Sequence, residues 1–184
     1  MKPTILTFTG QYFDFLKPEE YKLNIRDIGH GLSNVCRYTG QCIQFYSVAQ
    51  HAVLVSLMVP AWYARCGLHH DDAEALLGDV STPLKRLLPE YKVIEGRTED
   101  SLRRQLDLPL EFHSCVKVAD LRMLMTEKRD NLNVSPAGMN WLVSEVEYPP
   151  YDFILKPMLP KEAEEYYLDR HHQLQQLHAQ GECL

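Results

Sequence analysis

His69-His70-Asp71-Asp72-Ala73-Glu74-Ala75-Leu76-Leu77 opens on four polar residues, closes on an apolar pair and is followed by Gly78. The run is expected to form one helix, the third in the chain, with Gly78 past its end as the residue that most easily takes the left-handed conformation there. Asp79 then opens a loop containing Pro83. Adjacent residues on a helix point about 100° apart. His70 and Asp71 can therefore share one metal ion only if it sits between their two directions and draws further ligands from other helices.

Two other segments supply candidates. Upstream, Ser47 can cap a second helix that runs through Met58 and stops before Pro60, with Val48, Ala52, Val55 and Val59 as its apolar stripe and His51 on it. Downstream, a helix from His113 to Arg129 sets Asp120 among Val116, Val118, Ala119, Leu121 and Leu124. A buried ionised Asp is costly without a partner, and a cation is one. Two imidazoles with two carboxylates suit Mn, Co, Fe, Zn or Mg and leave positions open for water and phosphate oxygens. A lone helical His is more often hydrogen-bonded than metal-bound. His69 stands beside His70, but only His70 directly precedes Asp71.

The remaining chain reads as helices with a small β element. Thr4 to Phe15, broken at Gly10-Gln11, reads as two short strands forming a decorative ribbon. From Asn24, a good N-cap, Ile25, Ile28, Leu32 and Val35 recur at helical spacing in a first helix expected to reach Gly40. Further helices are expected at Tyr91 to Leu106 and Lys161 to Ala179, with Asn131 to Pro160 as a loop. No internal repeat or linker divides residues 1–184, so one mainly α domain is expected.

Composition limits the partners. With 45% hydrophobic and 24% charged residues the chain is an ordinary globular one, and 19 Lys+Arg against 25 Asp+Glu give a formal charge of −6. No basic run could track a duplex backbone, whereas a small anion could still be held by a metal and a few placed cations. The five cysteines, Cys36, Cys42, Cys66, Cys115 and Cys183, form no C-x-x-C pair. No stretch reaches the about 18 apolar residues of a membrane span. A soluble, cytoplasmic protein with reduced thiols is expected. The apolar residues of the last helix (Tyr166, Tyr167, Leu174, Leu177) suggest a homo-oligomer.

Taken together, Tyr46-Ser47-Val48-Ala49-Gln50-His51, His70-Asp71-Asp72-Ala73-Glu74-Ala75-Leu76-Leu77-Gly78-Asp79, Pro83-Leu84-Lys85 and Val118-Ala119-Asp120 resemble the HD-domain nucleotide phosphohydrolases. The similarity runs from about Thr7 to Arg129, toward the deoxynucleoside 5′-monophosphatases and the small phage-type deoxynucleoside triphosphohydrolases. It implies an HD-type helical bundle with one divalent metal on His51, His70, Asp71 and Asp120. It further implies that Glu74 orients or deprotonates the attacking water, that Asp79 shares the acid–base work, and that Arg37, Tyr38 and Lys85 contact the substrate.

The activity implied is cleavage of the 5′-phosphate ester of a deoxynucleotide. The opening of the chain resembles the phage-type enzymes, which favours a triphosphate substrate released as nucleoside and triphosphate, with dATP first among the bases. A 5′-nucleotidase acting on monophosphates and a noncatalytic nucleotide-binding module stay open, as does a second magnesium ion on the substrate's phosphates. Glu127, seven residues after Asp120, reads as a structural salt bridge that could anchor Arg37 or a ligand. His171, His172 and His178 read as a solvated face, and Tyr148, Tyr151 and Phe153 as loop packing or a subunit contact.

Overall fold

The chain is mainly α-helical with a small N-terminal ribbon, and this computed structural model describes residues 2–134 and 144–184. Within the loop expected between Asn131 and Pro160, positions 135–143 lie outside the described residues. Strands β1 (Thr4–Leu6) and β2 (Tyr12–Asp14) pair antiparallel, with Thr4 opposite Asp14 and Leu6 opposite Tyr12. The helices are α1 (Ile25–Asn34), α2 (Val48–Met58), α3 (Ala64–Leu68), α4 (Glu74–Leu77), α5 (Thr82–Lys85), α6 (Pro89–Gln105), α7 (Ser114–Asn131) and α8 (Pro160–Ala179).

The helix starts follow local chemistry. The Asn24 side chain accepts from Arg26 N and that of Ser47 from Gln50 N, each satisfying a first-turn amide that the helix itself leaves open. Around α2 the core closes on all sides: Val48, Ala49, Ala52, Val53 and Val55 are inaccessible to solvent. Helix α8 packs across α1, α2 and α3, while α7 lies against α2. Its buried positions Ala163, Tyr167, His171 and Leu174 fall on one helical stripe. Tyr167 and Leu174, expected at a subunit contact, are thus spent on the chain's own core.

Four expectations need correction. Helix α1 ends at Asn34, short of Gly40, because residues 36–47 turn into a bridge between Cys36 and Ser47 instead. The third helix is broken: α3 stops at Leu68, residues 69–73 form turns, and α4 resumes at Glu74. The break lets consecutive side chains diverge further than one helix permits. The ribbon is no decoration, since Phe13 is fully buried and Thr9 donates from N (2.6 Å) and Oγ1 (2.9 Å) to Asp27 of α1. Finally, the tail of α8 is not a solvated face throughout, because His171 is buried.

Two glycines set the position of α4. A Cβ on Gly31 of α1 would stand 2.7 Å from the Ala75 carbonyl oxygen, so only glycine lets these backbones approach. Gly78 ends α4 at φ 80 and turns the chain towards Asp79. On the opposite side, buried Gln50 donates to Lys156 O (2.7 Å) and accepts from Met158 N (2.9 Å), fastening the segment before α8 to α2 next to His51.

Candidate metal centre

Three elements meet at the break between α3 and α4. Helix α2 brings His51, the turn brings His70 and Asp71, and α7 brings Asp120. His51 Nε2 lies 3.3 Å from His70 Nε2, 3.3 Å from Asp120 Oδ1 and 3.8 Å from Asp71 Oδ2. His70 Nε2 is 3.2 Å from Asp71 Oδ2. Ligand atoms of His51, His70 and Asp120 all fall within 4.8 Å of one another, a cluster able to hold a metal ion. An ion about 2.1 Å from each donor sets neighbouring donors roughly 3.0 to 3.4 Å apart, so the spacing fits.

The protons decide what the cluster can accept. His51 Nδ1 is 2.6 Å from Glu127 Oε1, and His70 Nδ1 is 2.8 Å from Gly67 O. Both acceptors take the hydrogen of Nδ1, so that in a neutral ring Nε2 carries the lone pair. Two lone pairs then face each other at 3.3 Å beside two carboxylates. Such an arrangement is repulsive until a cation enters it. With protons alone, burial disfavours a charged His70 but the neighbouring Asp71 carboxylate outweighs it and pushes the pKa up to about 9. Burial likewise works against an ionised Asp71, and His70 overcomes it, holding that carboxyl well below its usual range.

His69 faces the other way. Its Nδ1 lies 2.7 Å from Asp72 Oδ2, its Nε2 3.1 Å from His171 Nδ1, and Tyr167 Oη donates to Asp72 Oδ1 at 2.5 Å. His69 and Asp72 thus root the turn in the core while His70 and Asp71 point to the centre.

The other site residues expected from sequence surround this cluster. Glu74 is buried, with Oε2 lacking a hydrogen-bond partner, and burial together with Asp71 and Asp79 raises its pKa well above the usual carboxylate range. Asp79 is half-buried after Gly78. Lys85 Nζ stands 3.4 Å from Glu74 Oε1 and 2.6 Å from Glu95 Oε1, so it reaches the centre's edge already paired. Arg37 is buried between Glu127 Oε2 (3.1 Å from Nε) and Asp71 Oδ2 (3.7 Å from NH1). Tyr38 Oη donates to Glu127 Oε2 at 2.6 Å. Lys117 Nζ caps the second Asp120 oxygen, Oδ2, at 2.7 Å.

Sequence reasoning gave Glu127 too small a part. Its position two turns beyond Asp120 on α7 suggested a salt bridge that could anchor Arg37 or a ligand; it holds both Arg37 and the metal-ligand candidate His51 at once. Away from the centre, Tyr151 stacks on Phe153 at 6.0 Å under Arg122, which donates to Pro149 O, so these aromatics pack a loop.

No model of a known protein family matches the sequence. The chain is 41% identical over 173 residues to the uncharacterized protein YfdR of Escherichia coli K12, covering 94% of this chain and 96% of that one. It is also 31% identical over 121 residues to an uncharacterized protein of Rhodobacter capsulatus, 60% of this chain and 62% of that one.

Proposed function

The chain belongs to the family of the Escherichia coli protein YfdR, and from the geometry of its His51–Asp120 centre we infer that it is a metal-dependent phosphohydrolase of the HD type. One observation carries this: His51 and His70 turn their Nε2 atoms towards each other at 3.3 Å, flanked by Asp71 and Asp120. Order and spacing of these four residues support the HD resemblance. A divalent ion held there would lower the pKa of a water molecule and neutralise charge on a phosphate ester.

The chain's own residues supply the rest. Glu74, whose affinity for a proton is raised by burial and by two neighbouring carboxylates, would take the proton of the attacking water. Asp79, whose charge bears on Glu74, would share that acid–base work. Arg37 offers a guanidinium whose NH1 edge faces the Asp71 side of the cluster and suits a phosphate oxygen. The bond broken is the ester between phosphorus and the sugar oxygen of a deoxynucleotide, with a triphosphate, dATP first, as the leading substrate.

A second substrate reading, a nucleoside monophosphate losing orthophosphate, has its own support. Lys85, Lys117 and Arg122 are each already engaged, by Glu95 and Glu74, by Asp120, and by Pro149 O. Among the described residues these three pairings reduce the positive charge open to a second and third phosphate.

The test incubates metal-stripped protein, with Mn, Co, Zn, Fe or Mg restored, against the four deoxynucleoside triphosphates and their monophosphates. Products are resolved by chromatography beside an Asp71→Ala control. Nucleoside plus triphosphate is expected, orthophosphate from monophosphates selects the second substrate, and the absence of any metal-dependent product removes the hydrolase reading in favour of a nucleotide-binding module.

A further inference from the structure

Glu127 is fully buried in α7, and its two oxygens do different things. Oε1 accepts from His51 Nδ1 at 2.6 Å; Oε2 accepts from Arg37 Nε at 3.1 Å and from Tyr38 Oη at 2.6 Å. An ionised carboxylate only accepts hydrogen bonds, so it satisfies all three donors at once. A glutamine in its place has one acceptor oxygen and turns an NH2 group towards either His51 or Arg37, which are donors themselves. The charge therefore matters as well as the shape.

The segment beyond Arg37 needs holding. Tyr38 and Thr39 both have φ 55, two successive non-glycine residues in the left-handed region. Such backbone persists only where its surroundings determine it. Its flanks are fixed by Arg37 N donating to Tyr46 O (2.9 Å), by the Cys36–Ser47 bridge, and by Ile43 N donating to Asn131 O (2.9 Å). Its side chains are fixed by Glu127, with a longer tie from Arg37 NH1 to Asp71 Oδ2 at 3.7 Å.

We propose that Glu127 is a positioning residue that couples the metal centre to the Arg37–Tyr38 segment, so that metal uptake and the ordering of the phosphate clamp are one event. The carboxylate sets His51 with Nε2 towards the ion, and the same group sets Arg37 and Tyr38. The clamp role rests on the hydrolase reading; the coupling is measured without any substrate.

The experiment combines Mn2+ titration calorimetry on metal-stripped protein with amide hydrogen exchange of residues 37–44, for the wild type and Glu127→Gln, folding being checked by circular dichroism. Glu127→Gln is expected to bind Mn2+ about 10- to 100-fold more weakly. Its Arg37 and Gln41 amides are expected to exchange roughly tenfold faster than in the wild type, with α6 amides unchanged. In the wild type, Mn2+ is expected to slow exchange at the same two amides, a measurement that stands even if Glu127→Gln does not fold. A folded Glu127→Gln with wild-type Mn2+ affinity overturns the proposal. So does weakened Mn2+ binding with unchanged exchange at 37–44, or exchange there that Mn2+ does not alter. Failure of hydrolysis with these results intact refutes only the activity.

Discussion

His51 and His70 face each other through their Nε2 atoms at 3.3 Å while each Nδ1 is committed to a different acceptor, Glu127 for one and Gly67 O for the other. Two imidazoles so held present both Nε2 atoms to one point, as a pair of metal ligands would. Ligand binding to the folded state alone raises stability by about 2.7 kcal/mol at a hundred times Kd. For a chain of this size that corresponds to a rise in Tm of roughly 5 to 10 °C. Thermal melts with Mn or Co should show it in the wild type and lose it in Asp120→Ala; an equal rise in both would place the ion elsewhere.

Glu74 lies beside the centre, its charge coupled to that of Asp71. Replacing it with Gln is expected to lower kcat by about 10²- to 10⁴-fold, the usual contribution of a general base, with Mn2+ affinity held within roughly threefold because the four proposed ligands are untouched. Calorimetry beside the activity assay separates the two quantities. Loss of metal affinity with unchanged turnover per bound ion would give Glu74 a ligand's role instead.

The network behind the turn has its own pH signature. Burial first, and the adjacent His69 second, push the His171 pKa down to about 4, against an ordinary value of about 6.5. The folded pKa lies below the unfolded one, so on acidification the unfolded chain takes up this proton first. His171 therefore costs no stability above about pH 6.5, and destabilises progressively as pH falls to about 4, by on the order of 3 kcal/mol. Denaturant melts across this range should show a shallower loss in His171→Gln than in the wild type. Parallel slopes would mean that His171 titrates normally.

Gly31→Ala tests how α1 seats the turn that carries His70 and Asp71. The new methyl would meet the Ala75 carbonyl oxygen at 2.7 Å and Ala75 Cβ at 2.9 Å, both next to Glu74. Overpacking of this kind costs about 1 to 3 kcal/mol, and Tm should fall by roughly 3 to 10 °C. An unchanged Tm would show that the two helices can part without cost.

The caps at Asn24 and Ser47 and the start and end of α2 were legible because their signals are local: a polar side chain for the open amides, apolar residues at helical spacing, and a proline beyond the end. The break at 69–73 was not, because its cause lies on α8, where Tyr167 and His171 pull Asp72 and His69 inward while their sequence neighbours point out. His171 was misread although a signal existed. It lies on the stripe of Ala163, Tyr167 and Leu174, and the adjacent His172 masked it. The resemblance to the HD phosphohydrolases named four ligands together, and three of them, His51, His70 and Asp120, meet in one cluster. Glu127's simultaneous hold on Arg37, Tyr38 and His51 was not legible, since those three donors lie 76 to 90 positions earlier in the chain.

The most direct measurement is an anomalous-difference map from crystals grown with Mn2+. One peak is expected within about 2.0 to 2.3 Å of His51 Nε2, His70 Nε2 and a carboxylate oxygen from each of Asp71 and Asp120. A peak at another set of side chains, or none at saturating Mn2+, would contradict the metal centre and with it the hydrolase built on it.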